Sequence, residues 1–201
     1  MQQTIITLDL EGVLVPEIWI AFAEKTGIPE LRRTTRDEPD YDVLMKGRLA
    51  ILDQHELKLP DIQDVIGTLS PMDGAKAFLD ELRSLTQVII LSDTFLEFAQ
   101  PLMRQLGWPT IFCHHLECDA TGRIVNYKLR QPNQKQKSVA AFKALNYKVI
   151  AAGDSFNDTT MLGEADKGFF LHAPENIRTQ FPQFQGFDRY EDLLAAIKTE
   201  L

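Results

Sequence analysis

The chain has 201 residues, 44% of them hydrophobic and 25% charged, which is enough to bury one full core with a small second one and too apolar for a disordered segment. A net charge of -8 without clustered Lys/Arg weighs against a nucleic-acid partner, while a small phosphorylated ligand stays compatible if cations gather locally. No run approaches the roughly 18 apolar residues of a membrane span and no signal-peptide pattern opens the chain, so no membrane partner is expected and the expected compartment is cytoplasmic.

The first element is a buried strand over Ile5-Ile6-Thr7-Leu8 that ends in Asp9-Leu10-Glu11-Gly12. Alternate strand residues share a face, so Asp9 and Glu11 point the same way into one crevice. An amphipathic helix follows over 16–26, closed by Gly27, then a polar passage, a second helix over 41–55 with Val43, Leu44, Leu49 and Leu52 as its apolar stripe, and a third over 59–69. From residue 72 helix and strand alternate: helix 73–84, strand 88–91, helix 97–106, strand 110–112, and a hairpin over 116–129 turning at Asp119-Ala120-Thr121-Gly122. Helix 138–145, strand 149–152, a short helix 159–164 and strand 168–171 complete the series, and the Pro-, Gln- and Phe-rich stretch 174–186 reads as a loop packing across the sheet. Such alternation predicts an α/β fold, a Rossmann-like parallel sheet with helices on both faces. Residues 1–15 and 72–201 then form the core domain, and 16–71 a small helical cap inserted after the first strand, over the sheet's carboxyl edge.

A second acidic cluster, Gly153-Asp154-Ser155-Phe156-Asn157-Asp158, follows the strand that ends at Ala152. Two acidic strand ends of this kind suggest a shared Mg²⁺ site, because that ion favours hard oxygen ligands. The two cysteines, Cys113 and Cys118, fit neither a disulfide framework nor a four-ligand zinc site; with His114 and His115 between them they offer a metal group, against the plainer reading as strand and loop residues. Trp108, Phe181 and Phe184 are open to two readings, a homodimer contact or core.

Four features in order resemble the haloacid dehalogenase superfamily of phosphotransferases: Asp9-Leu10-Glu11-Gly12, Leu91-Ser92-Asp93-Thr94, a lysine in Gln134-Lys135-Gln136-Lys137-Ser138, and Gly153 through Leu162. The resemblance implies that Asp9 is the nucleophile and Glu11 the general acid and base, with Glu where most members have Asp. It implies that Ser92 and the backbone after it hold the transferring phosphoryl group, where Ser92 taken singly reads as a helix cap. It implies a lysine that restrains phosphate–carboxylate repulsion, a place for which Lys135 is favoured and Lys137 competes. Asp154 is implied as a metal ligand beside Asp9 and Glu11, with Asn157 and Asp158 supporting the metal shell.

Within that superfamily the chain is similar to phosphoserine phosphatases, which implies that Glu17 receives the substrate's ammonium and Arg48 its carboxylate; singly, these read as a first-turn acid and a solvated charge. Asp93 stands where a glycine is usual. The runs Asp-Leu-Glu-Gly-Val-Leu-Val-Pro-Glu and Ser-Asp-Thr-Phe resemble the bifunctional phosphoserine phosphatase/homoserine phosphotransferases, making Glu11 and Asp93 traits of that group. The expected activity is Mg²⁺-dependent hydrolysis of O-phospho-L-serine through an aspartyl-phosphate, with homoserine as a further acceptor. The rival expectations are another small phosphomonoester and, from a different class, a phosphate-binding module without catalysis.

Overall fold

The computed structural model describes residues 2–34, 37, 38 and 40–201. Strand β1 (Thr4–Leu8) is central in a seven-stranded sheet, flanked by β2 (Gln87–Phe95) on one side and β5 (Lys148–Gly153) on the other. Strands β3 (Thr110–Cys118) and β4 (Ile124–Lys128) extend the sheet beyond β2, and β6 (Lys167–Leu171) and β7 (Gln185–Phe187) extend it beyond β5, in the order β4-β3-β2-β1-β5-β6-β7. All pairs are parallel except the β3–β4 hairpin. The chain leaves β1 in one direction and later returns on its other side, so the carboxyl end of β1 is the switch point where such sheets open a crevice.

Alternation along the strands sorts the core onto two faces. Ile6 and Leu8 of β1, with Ile90 and Ile150, meet Phe78, Leu79 and Leu82 of α4 (Ala75–Leu85) and Leu193 and Ile197 of α9 (Tyr190–Glu200). Ile5, Leu91, Val149 and Ala151 meet Val139 and Phe142 of α6 (Gln134–Ala144) and Met161 and Leu162 of α7 (Thr159–Glu164) on the other face. Helices α1 (Ile18–Thr26), α2 (Tyr41–Gln54) and α3 (Leu59–Gly67) join the first of these clusters through Phe22, Met45, Leu52, Ile62 and Ile66. Contact with Phe98 and Leu102 of α5 (Leu96–Gln105) and with Leu116 and Ile124 of the hairpin gives these helices their apolar partner.

Local chemistry accounts for the ends of these helices. Gly27 closes α1 at φ 69°, a left-handed value only glycine takes at no cost. The Asp40 side chain caps α2 by accepting from the N–H of Asp42 and Val43. Pro60 stands in the first turn of α3, where its missing N–H costs nothing.

The structure departs from the sequence expectations at four elements. Helix α1 starts at Ile18, which leaves Glu17 as its N-cap residue and not a first-turn acid. Strand β2 runs on to Phe95, so Ser92 lies within the strand and Phe95, not Ser92, caps α5. Helix α6 starts at Gln134, four residues before the expected 138, because Gln134 and Lys135 are held by long-range hydrogen bonds. Residues 174–186 are not a loop: they hold helix α8 (Glu175–Gln180) and the start of β7, which pairs with the edge of β6. Phe181 and Phe184 pack against the second core cluster, whereas Trp108 is exposed. Among the described residues no helix is long and apolar enough to cross a membrane.

Candidate active site

Asp9 is the first residue past β1, and its backbone N–H still donates to the Ala152 carbonyl at 2.9 Å, continuing the ladder. The buried Lys135 ammonium lies 2.9 Å from Asp9 Oδ1 and 2.7 Å from Asp158 Oδ1, and 3.9 Å from Asp93 Oδ2. Lys137 is exposed, and Lys135 is the lysine brought to Asp9 and Asp158. Carboxylate oxygens of Asp9, Asp154 and Asp158 all lie within 4.8 Å of one another. Gly12 makes room for this cluster: a Cβ there would sit 2.3 Å from Asp154 Oδ2, and its φ of +74° is a glycine value.

Asp158 is fully buried and fully employed. Its Oδ1 accepts from Lys135, while its Oδ2 accepts from the N–H of Asp154 at 3.0 Å and of Ser155 at 3.1 Å. That leaves Asp9 and Asp154 as the carboxylates with lone pairs to spare. Three acids against one lysine raise the cost of ionisation: burial, then the Asp158 charge, pushes Asp9 well above the ordinary range and Asp154 up to about 7. Burial alone would pull Lys135 down, but Asp158 and Asp9 hold its ammonium well above the usual value.

Glu11 accepts from the Ile18 N–H at 3.1 Å, tying the loop after β1 to the first turn of α1. Burial, followed by the neighbouring Glu17 carboxylate, pushes Glu11 up to about 8. Glu17 is exposed at the mouth of a cavity of about 550 Å³, which Asp9, Glu11, Arg48, Ser92, Asp93, Lys135 and Asn157 also line.

Arg48 forms the far wall of that cavity. It is buried, stacks 4.4 Å over the Trp19 ring, donates from Nη2 to the Arg33 carbonyl at 2.6 Å, and leaves a buried Nε with no partner. It has no carboxylate mate among the described ion pairs, and burial pulls it down to about 10. A guanidinium held this way is poised for an anion that arrives from outside.

Ser92 is buried, and its carbonyl accepts from Gln134 Nε2 at 2.5 Å. The same amide nitrogen reaches Asp93 Oδ1 at 3.2 Å, and Asn157 Nδ2 reaches Asp93 Oδ2 at 3.3 Å. Burial works to raise Asp93, but the Lys135 ammonium and these amides outweigh it and keep the carboxyl below its usual range. Asp9, Glu11, Glu17, Arg48, Ser92, Asp93, Lys135 and Asn157 therefore meet in this cavity, and Asp154 and Asp158 join Asp9 in the acid cluster, whereas Lys137 stays outside. Gln134, Thr94, Tyr41 and Trp19 share the site without a sequence signal, since each also fits an ordinary helix or strand pattern. Cys113 is buried and Cys118 exposed, and His114 Nδ1 accepts from the Arg130 N–H, so this segment forms no metal group.

A family model for haloacid dehalogenase-like hydrolases matches residues 4–166, a span that runs from β1 through the second acid cluster. The chain belongs to this family. This haloacid dehalogenase-like hydrolase is 67% identical over 186 residues to the phosphoserine phosphatase ThrH of Pseudomonas aeruginosa, with 92% of this chain and 91% of that protein covered. It is 66% identical over 186 residues to a phosphoserine phosphatase of Pseudomonas syringae pv. tomato, with coverage of 92% and 78%. Among solved structures, a substrate-bound phosphoserine phosphatase complex shares the hydrolase's fold at a TM-score of 0.75 and 16% identity, covering 94% of this chain and 95% of that one.

Proposed function

We propose that this hydrolase cleaves O-phospho-L-serine to L-serine and phosphate through an aspartyl-phosphate on Asp9, and that homoserine serves as a second acceptor of the phosphoryl group. One observation carries the reading: a single cavity joins the Asp9–Lys135 pair to a buried Arg48 without a carboxylate mate and to Glu17 at its mouth. A small amino acid offers a carboxylate for the first and an ammonium for the second, at one end of a phosphate ester. The names of the two Pseudomonas relatives support the same substrate.

Residues 16–71 serve in this reading as the cap that shapes the substrate end of the cavity, and residues 1–15 and 72–201 as the catalytic core. An all-oxygen donor set fits Mg²⁺, and the crowding that raises Asp9 and Asp154 is what a divalent cation relieves. Asp9, Asp154 and the Glu11 backbone carbonyl would hold the ion, with Asp158 and Asn157 in support. When bound it supplies charge neutralisation for the phosphoryl oxygens.

The remaining work falls to side chains. Asp9 attacks phosphorus while Ser92 and Lys135 steady the phosphoryl oxygens. With its pKa near 8, Glu11 enters the reaction protonated at neutral pH and gives that proton to the departing serine oxygen. An ammonium docked at Glu17 weakens the repulsion that raises Glu11, which makes Glu11 a better donor once substrate is seated. Glu11 then takes a proton from the incoming water, or from the homoserine hydroxyl, as the acyl phosphate is opened. Phosphate release from phosphoserine, measured with and without homoserine and with the products identified, tests the proposal. Turnover of phosphoserine no better than that of generic phosphate esters would defeat it. Failure of beryllofluoride with Mg²⁺ to protect Asp9 would favour a non-catalytic phosphate binder.

A further inference from the structure

Two of the residues that anchor the loop carrying Glu11 lie beyond the segment matching the family model, which ends at 166. Three successive carbonyls past Glu11 each have a partner from another element. The Gly12 oxygen is 3.2 Å from His172 Nδ1, the Val13 oxygen accepts from the Tyr190 hydroxyl at 2.6 Å, and the Leu14 oxygen accepts from the Met72 N–H at 3.0 Å. His172 stands just past β6 in the left-handed region at φ 60°, and its N–H donates to the Phe187 carbonyl at 2.9 Å. Its ring meets Tyr190 edge to face at 5.2 Å, and Tyr190 in turn lies 4.9 Å from the Phe78 ring.

Behind these two side chains the molecule is not solid. A groove of about 740 Å³ opens between the start of α4 and α9, and His172, Tyr190, Phe78 and Met72 help to line it. The side chains of Val13 and Leu14 are fully buried in the core, so packing holds the loop's apolar side, while its carbonyls toward the groove rely on hydrogen bonds. On that side hydrogen bonds from His172 and Tyr190 add to the loop's own turn bonds and fix the peptide planes that follow Gly12 and Val13. On the opposite side the Glu11 carboxylate accepts from the Ile18 N–H, and its backbone bridges to Val15.

We infer that Tyr190 and His172 are positioning residues for the proton-donating loop, acting through the Val13 and Gly12 carbonyls to hold Glu11 in register with the leaving oxygen. The inference rests on the reading of Glu11 as the proton donor. In the step concerned, an Asp9 oxygen forms a bond to phosphorus, the ester P–O bond breaks, and the proton of Glu11 passes to the departing oxygen. An alkoxide departure needs that proton, whereas a nitrophenolate departs without it.

Tyr190→Phe keeps the ring contacts with Phe78 and His172 and removes only the hydroxyl. It is expected to lower kcat on phosphoserine about tenfold with KM within about twofold, a loss of the size that small misplacement of a catalytic group produces. First-turnover release of p-nitrophenol from p-nitrophenyl phosphate should stay within about twofold of the parent enzyme. Glu11→Gln, measured in parallel, reports on the underlying reading and should lose far more on phosphoserine than in p-nitrophenol release. If Glu11→Gln shows that contrast and Tyr190→Phe matches the parent on both esters, or loses equally on both, the positioning role is overturned while the proton-donor reading stands. If Glu11→Gln loses equally on both esters, the proton-donor reading falls and takes the inference with it.

Discussion

Asp154 faces two opposing demands. It shares a pocket with Asp9 and Asp158, and one lysine cannot offset three carboxylates, which is why burial and the Asp158 charge push it up to about 7. In the absence of metal that crowding destabilises the fold; with a divalent cation bound it becomes an affinity. Asp154→Asn separates the two. In EDTA the variant should be more stable than the parent, by about 1–2 kcal/mol in urea unfolding, because a half-buried charge crowded by other acids has been removed without loss of shape. The rise in melting temperature that Mg²⁺ gives the parent should vanish in the variant, and phosphoserine turnover should drop by at least about a hundredfold. A variant that is less stable than the parent in EDTA would mean that Asp154 holds the loop and not an ion.

At the scale of elements, the legible parts of the site were those written at strand ends. Asp9, Glu11 and Asp154 follow short β-branched or small apolar runs, and the period-2 rule alone places such acids on one sheet edge. The start of α6 was not legible, because nothing in Gln134-Lys135-Gln136-Lys137 marks an N-terminus; the helix begins early only because Gln134 is tied to β2 and Lys135 to the acids. The same tertiary tie separates Lys135 from Lys137, which composition cannot do. Helix α8 and the three-residue β7 are hidden in the sequence because Pro174, Pro182 and Gly186 give turn signals, and β7 exists only as an edge partner of β6. In the proposed function Arg48 on α2 is where an element and a specificity would meet. Arg48→Met keeps an aliphatic stem of similar length and removes the guanidinium that stacks on Trp19 and donates to the Arg33 carbonyl. Its KM for phosphoserine should rise about 10- to 100-fold with kcat within about threefold, in line with loss of a charged hydrogen-bonded pair. Its melting temperature should change by no more than a few degrees, since the lost Trp19 stacking and Arg33 hydrogen bond are offset by removal of a buried charge with an unpartnered Nε. A kcat loss without a KM change would move Arg48 from substrate binding to catalysis.

Across the whole molecule, the buried acids set how stability responds to pH. A carboxyl whose folded pKa lies above its unfolded value binds its proton more tightly when folded, so the folded state holds more protons between the two values and stability falls as pH rises through that window. Glu11 moves from 4.5 to about 8 and Asp154 from 3.8 to about 7, so both act between about pH 4 and 8. Between pH 5 and 8 His114 acts in the opposite sense, because burial holds it below its usual 6.5 and that cost fades as pH rises, offsetting part of the fall; the other strongly held charges titrate outside this range. Asp93, held below its usual value of 3.8, contributes stability that is lost only in stronger acid, and Lys135, raised above 10.5, contributes stability that is lost only in strong base. Metal-free protein is therefore expected to melt at progressively lower temperature as pH is raised from 5 to 8, against the usual trend for a protein with a net charge of -8 whose carboxylates are paired at the surface. Saturating Mg²⁺ should flatten or reverse the slope, because the ion competes with protons for the same oxygens and wins as pH rises. Scanning calorimetry at half-unit pH steps, in EDTA and in Mg²⁺, measures both curves. A metal-free curve that is flat or rises toward pH 8 would show that the acid cluster is not strained in the folded state, and would remove the physical reason for it to take up a cation.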